Sequence, residues 1–397
     1  MSDPISLAPR VRNIKPSPTL AVTTKARELK AAGKDVISLG AGEPDFDTPY
    51  HIKQAAIRAI EAGFTKYTAV DGTPELKQAV VAKFVRENNL NYRKEQVLVS
   101  VGAKHSLFNL FLALLGPGDE VVIPAPYWVS YPDMVLLADA TPVIVSAGME
   151  QSFKITPAQL EAAITPRTKL FVLNSPSNPT GVAYTRAELA ALGEVLLKHP
   201  QVVTVTDDIY EHIQWTGEPF CNIVNACPKL MDRTVVVNGV SKAYAMTGWR
   251  IGYAAGPQPL IKAMENIQSQ STSNPTSIAQ AAATAALSGD QACIGEMVRE
   301  FRKRHDHVVA RLNAIRGVRC LHGQGTFYAF ADFREAMAGR GARDDVALAA
   351  DLMEDAGVAL VPGTAFGAPG FLRASFATDM NTLNGALDRL EKVFGKR

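Results

Sequence analysis

Short runs of apolar, mostly β-branched residues recur along the first two thirds of the chain. Polar residues do not interrupt them, which is typical of strands buried on both faces of a sheet. Segments of helical composition separate several of the runs. This alternation predicts an α/β domain with a mostly parallel central sheet flanked by helices. The predicted strands include residues 97–99, 121–123, 170–173, 202–205 and 234–237, and the predicted helices include residues 104–115 and 186–198.

The pattern changes after about residue 275. Residues 276–315 have the composition of long helix, and strand-like and helical pieces are mixed after residue 318. This change predicts a second, smaller α+β domain. The predicted division is an N-terminal arm with part of the small domain (1–45), a large domain (46–290) and a small C-terminal domain (291–397).

Composition narrows the class of partner. The chain has 397 residues, and its 41 basic and 39 acidic residues give a net charge of +2. A nucleic-acid-binding protein usually shows a basic excess, and no segment has the roughly 20 apolar residues that a membrane span needs. Four cysteines and no signal-peptide pattern favour a reducing, cytoplasmic location. We therefore expect small-molecule substrates or a second copy of the chain as partners, and neither nucleic acid nor membrane.

A lysine lies just beyond the last predicted strand, at Lys242. Side chains at the carboxyl ends of such strands face the ligand crevice. There a lysine can form a Schiff base with an aldehyde cofactor, and Arg250, eight residues on, can hold a phosphate. Taken alone, a lysine in this place is more often a solvated loop residue.

Asp207 follows another predicted strand and strengthens this interpretation. A carboxylate in that place can keep a pyridine nitrogen protonated, which pyridoxal phosphate (PLP) needs in order to accept electrons. Tyr210 can offer its hydroxyl to the phenolic oxygen of the same cofactor. The alternative is a helix-capping acid beside a core tyrosine.

Three further groups of residues are, each by itself, weaker evidence for a cofactor site. Asn178 lies in an Asn-Pro-Thr-Gly turn after a strand, and its amide can reach the phenolic oxygen. Gly102, Ala103 and Lys104 join a strand to a helix, where free backbone N–H groups suit an anion. Trp128 can stack on a cofactor ring, although aromatic residues are more often core residues.

Together these stretches resemble the fold-type I PLP enzymes, and within them the class I aminotransferases of the aspartate aminotransferase group. The resemblance runs from about residue 16 to residue 397 and is specific in its order and spacing. It covers Gly40-Ala-Gly42-Glu-Pro-Asp-Phe-Asp-Thr-Pro49, Lys66-Tyr67, Pro126-Tyr-Trp128, the turn at Asn178, Asp207 with Tyr210, Lys242, and Phe371-Leu-Arg373-Ala-Ser-Phe376.

The resemblance implies the PLP-dependent transferase fold and a role for each matched residue. Lys242 would carry the cofactor as a Schiff base and shuttle the proton, Asp207 would pair with the ring nitrogen, and Arg373 would bind the substrate α-carboxylate. A ping-pong reaction between amino acids and 2-oxo acids follows. The remaining implied contacts are Asn178 and Tyr210 to the phenolic oxygen, Trp128 to the ring, Gly102, Ala103, Lys104 and Arg250 around the phosphate, Gly42 at the substrate, and Tyr67 from the partner subunit of a homodimer.

The residue that binds the distal carboxylate of the substrate differs between two branches of this family. One branch binds the distal carboxylate of aspartate with an arginine five residues before the Asn of a Ser-Asn-Pro motif, and Ser269 occupies that place here. The chain instead resembles the bacterial branch in which a lysine, matched by Lys104, has this role. Arg12, or hydroxyls of Ser17 or Thr19, would add a second contact.

This branch implies an aspartate:2-oxoglutarate aminotransferase. Some of its members also use prephenate, and both possibilities stay open at this point. An aminotransferase for aromatic or neutral amino acids is the nearest alternative. A non-catalytic PLP-binding regulator is a distant one, because such regulators carry a DNA-binding segment before the aminotransferase-like part.

Overall fold

The computed structural model describes Ile5, residues 7–16 and residues 18–396. Helices and strands alternate through most of this range. The helices are α1 (Pro9–Asn13), α2 (Pro18–Ala31), α3 (Tyr50–Glu61), α4 (Pro74–Asn88), α5 (Ala103–Leu114), α6 (Ser130–Leu137), α7 (Pro157–Ala163), α8 (Arg186–Leu197), α9 (Ile223–Ala226), α10 (Gln258–Ser269), α11 (Ser277–Ser288), α12 (Ala292–Asn313), α13 (Arg334–Arg340), α14 (Asp345–Asp355) and α15 (Met380–Phe394). The strands are β1 (Ile37–Ser38), β2 (Val97–Ser100), β3 (Glu120–Ala125), β4 (Thr141–Ser146), β5 (Thr168–Asn174), β6 (Val203–Asp207), β7 (Thr234–Gly239), β8 (Gly252–Ala255), β9 (Arg319–Cys320), β10 (Tyr328–Asp332), β11 (Val358–Ala359), β12 (Val361–Pro362) and β13 (Phe371–Ser375).

A seven-stranded sheet forms the centre of the molecule, in the order β2-β8-β7-β6-β5-β3-β4. Strand β8 is antiparallel to both of its neighbours, and the other neighbouring pairs are parallel. All five apolar runs identified in the sequence coincide with strands of this sheet, except that Val202 lies one residue before β6, so the predicted α/β class is confirmed.

The sheet is buried on both faces. Val235 and Val237 pack into one apolar cluster with Leu107 of α5, whereas Val236 between them packs into another with Leu192 of α8. Alternate residues of one strand therefore serve two separate cores, which explains the uninterrupted apolar runs.

The two helices named from the sequence are present. Helix α8 begins at a capping box, in which the Thr185 hydroxyl accepts from Glu188 N and the Glu188 carboxylate accepts from Thr185 N. In α5, Leu110 is buried and Phe108 is partly exposed beside a cavity. Within the described ranges, no helix combines the length and the apolarity that crossing a membrane requires.

The helix expected over residues 276–315 is two helices, α11 and α12. Gly289 lies between them, and a Cβ there would stand 2.6 Å from the carbonyl oxygen of Ala285. The Asp290 carboxylate accepts from Ala292 N at 3.0 Å and starts α12. A Gly-Asp pair therefore ends one helix and opens the next.

A second sheet of four antiparallel strands, β12-β13-β10-β9, lies in the C-terminal part of the chain. Helices α12 and α15 share an apolar cluster with it. The N-terminal strand β1 pairs in parallel with β11, at Ile37 with Val358 and Ser38 with Ala359. The domain boundaries at residues 45 and 290 stay a prediction.

Candidate active site

Most of the sequence-predicted residues lie along one edge of the central sheet. Strands β2, β5, β6 and β7 point the same way, so their carboxyl ends meet at this edge. Strand β8 runs in the opposite direction, and its first residues therefore lie at the same edge. Arg250, just before β8, and Lys242, just after β7, are brought together in this way with Asp207.

Asp207 is a buried carboxylate at the end of β6. Its Oδ2 accepts from the Tyr131 hydroxyl at 2.7 Å, and its Oδ1 is buried with no partner among the described residues. Burial raises the pKa of Asp207 to about 6, and the bond from Tyr131 opposes this rise. One oxygen is thus fixed and the other is left for a ligand.

Lys242 lies three residues beyond β7, and its ammonium group donates a hydrogen bond to the carbonyl oxygen of Gly42. Burial lowers the pKa of Lys242 to about 8, and the charge of Glu43 opposes the shift. The amine is therefore partly neutral near physiological pH, as a base or nucleophile needs.

A chain of hydrogen bonds links the second sheet to Asp207. Arg373 of β13 donates to Asn178 Oδ1 at 2.9 Å and to Gly40 O at 3.0 Å. Asn174 Oδ1 accepts from Asn178 N at 2.9 Å, and Asn174 Nδ2 donates to Asp207 O at 2.8 Å. Arg373 is thereby held rigidly relative to the carboxylate.

Aromatic rings surround Arg373. Its guanidinium carbon lies 4.3 Å from the centroid of Tyr328 and 4.9 Å from that of Phe366. The Tyr328 and Tyr210 hydroxyls are 3.0 Å apart. Arg373 Nε is buried and has no partner among the described residues, so a donor remains for an anionic ligand.

A candidate anion site lies at the N-terminus of α5. Gly102 has φ of +83°, and a Cβ there would collide with the guanidinium of Arg250. The positively charged group therefore lies directly against the backbone turn that opens the helix, where the macrodipole also favours negative charge.

Lys104 and Trp128 lie next to this turn. The Lys104 amine is 4.9 Å from the centroid of Trp128, which contacts Tyr131 edge to face at 5.3 Å. Burial, and then the charge of Arg250, lower the pKa of Lys104. Both cations line a cavity of about 360 Å³.

Two predicted site residues lie apart from this cluster. The Tyr67 side chain is 92% exposed. Arg12 lies on the short, exposed helix α1, near α6. Thr19 is part of α2, and Ser17 falls outside the described residues.

Sequence reasoning missed Tyr131, Tyr328 and Asn174 as site residues. The sequence could have indicated Tyr131, because it lies only three residues after Trp128, in the first turn of α6. Asn174 lies at the end of its strand, four residues before Asn178. Tyr328 had no local signal, since the pairing of β10 with β13 brings it to Arg373.

The fold and this polar edge define a class of α/β enzyme in which a partly buried lysine, a buried aspartate and a buried arginine share one crevice. A family model for aminotransferases of class I and II matches residues 34–390. The chain therefore belongs to this family, and it is an aminotransferase.

Individual relatives extend the similarity over almost the whole chain. An aspartate/prephenate aminotransferase of Nitrosomonas europaea is 59% identical, over 98% of this chain and 100% of its own length. An aspartate aminotransferase of Geobacillus stearothermophilus is 53% identical, over 99% and 100%. The crystal structure of the Rhizobium meliloti aspartate aminotransferase has a TM-score of 0.95 at 50% identity, covering 99% of each chain. A Thermus thermophilus aspartate aminotransferase with maleate has a TM-score of 0.92 at 46% identity, over 98% and 100%.

Proposed function

We propose that the chain is a PLP-dependent aspartate:2-oxoglutarate aminotransferase that also accepts prephenate. The hydrogen-bond chain from Arg373 to Asp207, with the Lys242 amine in the same crevice, carries this proposal. The names of the similar proteins from Nitrosomonas europaea and Geobacillus stearothermophilus support the choice of substrates. We also propose a cytoplasmic location, on the cysteine content of the sequence.

The residues present fit PLP. The unpartnered Oδ1 of Asp207 suits a protonated ring nitrogen, and the amine of Lys242 suits an aldehyde. The turn at Gly102 with Arg250 suits a phosphate. Tyr210 and Asn178 would hold the phenolic oxygen, and Trp128 would cover one face of the ring.

When bound, PLP supplies a ring that withdraws electrons from the substrate α-carbon. The Lys242 Nζ would remove the proton from the substrate α-carbon and deliver it to the aldehyde-derived carbon of the cofactor, which its lowered pKa favours near neutral pH. Asp207, held by the hydrogen bond from Tyr131, would pair its charge with the ring nitrogen of the bound cofactor. Asp207 is buried and Lys242 is partly buried, which limits the access of water to the proton transfer.

Two cationic side chains account for dicarboxylate substrates. Arg373 would bind the α-carboxylate with the planar donor fork that suits it. Lys104 would bind the distal carboxylate, since the arginine used by another branch of the family is replaced by Ser269. The lowered pKa of Lys104 indicates a site that an anion would stabilise.

An exposed apolar stripe supports a homodimer with shared active sites. Tyr50, Ile57 and Ile60 lie seven and three residues apart on α3 and are 72%, 42% and 51% exposed. Phe64 and Tyr67 continue the stripe beyond the helix. A second copy covering this stripe would bring Tyr67 to the neighbouring site.

Visible absorbance of the purified protein tests the cofactor and the reaction together. PLP bound to a lysine absorbs visible light, and this absorbance is expected to disappear when aspartate is added. A response to aromatic or neutral amino acids alone would favour the alternative specificity. Bound PLP with no response to any amino acid would favour a regulator, and no binding of PLP would contradict the proposal.

Replacing Lys104 with alanine tests the choice of aspartate. We expect kcat/KM for aspartate to fall about 100-fold, because a charge-assisted hydrogen bond contributes roughly 1.5–3 kcal/mol. Alanine has no distal carboxylate, so its kcat/KM should change much less. Equal losses for the two amino acids would assign Lys104 to the cofactor instead.

A further inference from the structure

The segment that carries Tyr67 is anchored from behind by a buried glutamine, Gln268, at the end of α10. Gln268 Nε2 donates to Val70 O at 2.7 Å and to Val99 O at 2.8 Å. Its Oε1 accepts from Asn109 Nδ2 at 3.0 Å. One side chain, 0% exposed, therefore joins residues 67–73 to strand β2 and helix α5.

A second buried glutamine, Gln280 of α11, holds both ends of the same segment. Its Oε1 accepts from Thr73 N at 2.8 Å. Its Nε2 donates to Thr68 Oγ1 at 3.0 Å and to Pro275 O at 2.8 Å. The residue next to Tyr67 is thus bonded to the interior of the protein.

The backbone of this segment lies directly on strand β2. Val99 N donates to Asp71 O at 3.0 Å, and a Cβ on Gly72 would stand 2.6 Å from Val99 Cγ2. Strand β2 ends at Ser100 and leads into the turn at Gly102. The elements that form this chain's own anion site therefore also support Tyr67.

The exposure of Tyr67 makes this support important. Its side chain is 92% exposed, so its position depends on the backbone that carries it. Buried amides are costly unless fully bonded, and both glutamines are bonded at each polar atom. An apolar residue could fill the same volume but could not hold the segment.

We infer that Gln268 and Gln280 are positioning residues that fix Tyr67 for the active site of the partner subunit. This inference rests on the proposed homodimer, in which Tyr67 would reach the phosphate group of the cofactor in the neighbouring site. The phosphate turn of one site and the tyrosine that completes the other then belong to one rigid unit.

Mixed dimers with two different affinity tags test this inference. In the first arrangement one chain carries Lys242→Ala and Gln268→Leu, and the other is unchanged. The only site able to bind PLP covalently then receives Tyr67 from the altered chain. In the second arrangement Gln268→Leu is moved to the chain that keeps Lys242. Visible absorbance during titration with PLP reports only the site with Lys242.

We expect the first arrangement to bind PLP about tenfold more weakly than a mixed dimer that carries only Lys242→Ala in one chain. Loss of one hydrogen bond to the phosphate predicts a change of this size. The second arrangement should lose clearly less. The same comparison with Tyr67→Phe should give the same asymmetry. Gln258→Leu, an exposed glutamine at the start of the same helix, should change neither arrangement.

Equal losses in the two arrangements, or a larger loss in the second, would overturn the inference. Absence of a loss with Tyr67→Phe would overturn both the role of Tyr67 and the inference, whereas an unaltered protein that binds no PLP would overturn the proposed function itself. If Gln268→Leu prevents dimer formation, Thr68→Val replaces it. This change at a partly buried residue removes one hydrogen bond of Gln280, the one from its Nε2 to Thr68 Oγ1, and a loss in the first arrangement alone is again expected.

Discussion

At the scale of the residue, Asp207 is kept in an environment that disfavours its charge. Its pKa rises from 3.8 to about 6 on burial, and one of its oxygens has no partner among the described residues. A carboxylate of this kind destabilises the protein without cofactor, and under the proposed function it would gain its partner when the cofactor binds.

Replacing Asp207 with asparagine should therefore stabilise the cofactor-free protein at alkaline pH. A raised pKa means that protonation favours the folded state, so the cost of the charge is absent below about pH 4 and complete above about pH 7. About two pKa units correspond to roughly 3 kcal/mol. Urea unfolding of both proteins at pH 5 and pH 8 measures this difference, which should grow with pH.

Asp332→Asn is the matched control. Although burial opposes it, hydrogen bonds from Arg334 and Arg319 lower the pKa of Asp332. A lowered pKa contributes stability above the unfolded value, so this variant should be less stable at pH 8 and approach the unaltered protein in acid. If Asp207→Asn also lost stability at pH 8, the claim that the charged Asp207 destabilises the cofactor-free protein would be wrong.

Tyr131 is the hydrogen-bond donor that keeps Asp207 charged. In Tyr131→Phe the pKa of Asp207 should rise further, and PLP affinity at neutral pH should fall about tenfold, recovering as pH rises. Tyr184→Phe loses a comparable buried bond, from Ile155 N at 2.9 Å, without touching Asp207. Titrations with PLP from pH 6 to pH 9 compare the pH dependence of PLP affinity in the two variants, and only Tyr131→Phe should change it. A fall in melting temperature without a change in this pH profile would make Tyr131 merely structural.

At the scale of the element, the turn between β2 and α5 depends on its glycine. In Gly102→Ala the new methyl group would displace Arg250, in addition to straining a backbone with positive φ. We expect PLP affinity to fall at least about tenfold.

Gly118→Ala separates the two causes. Gly118 has φ of +92° and nothing within 4 Å of a Cβ, so it would bear only the backbone strain, roughly 1 kcal/mol. Its melting temperature should fall while its PLP affinity stays unchanged. Equal affinity of both variants for PLP would show that Arg250 does not hold the phosphate.

The sequence predicted those elements whose pattern is set by burial. The runs around Val122, Val205 and Val236 are buried on both faces and were recognised as strands. Strand β4 was missed because its exposed and partly buried residues resemble a surface segment, and β8 was missed because Gly252–Ala255 is short and rich in small residues.

At the scale of the whole molecule, the exposed stripe on α3 should hold the dimer together. Ile60→Asp would place an unpaired charge in the interface, and we expect the dimer dissociation constant to rise at least about 100-fold, with parallel loss of activity. Val346→Asp, at a similarly exposed position on α14, should stay dimeric. Sedimentation over a range of concentrations measures both. Unchanged association of Ile60→Asp would place the interface elsewhere.

The site was predictable only where its residues follow strands of the central sheet. Asp207 is the last residue of such a strand, and Lys242 and Asn178 lie three and four residues beyond two others, so their convergence follows from sheet geometry. Arg373 meets Asn178 through packing between two sheets, and no local pattern encodes that contact. The resemblance to a family, rather than the spacing of residues, identified Arg373 from the sequence.

The pairing of β1 with β11 bears on how the chain is made. Ile37 leaves the ribosome early, yet its partner Val358 is added about 320 residues later. At roughly 5–20 residues per second, translation leaves the first strand unpaired for on the order of 15–60 s. The N-terminal region therefore completes its fold only at the end of synthesis, and a nascent chain stalled before residue 358 should expose it to chaperones and proteases.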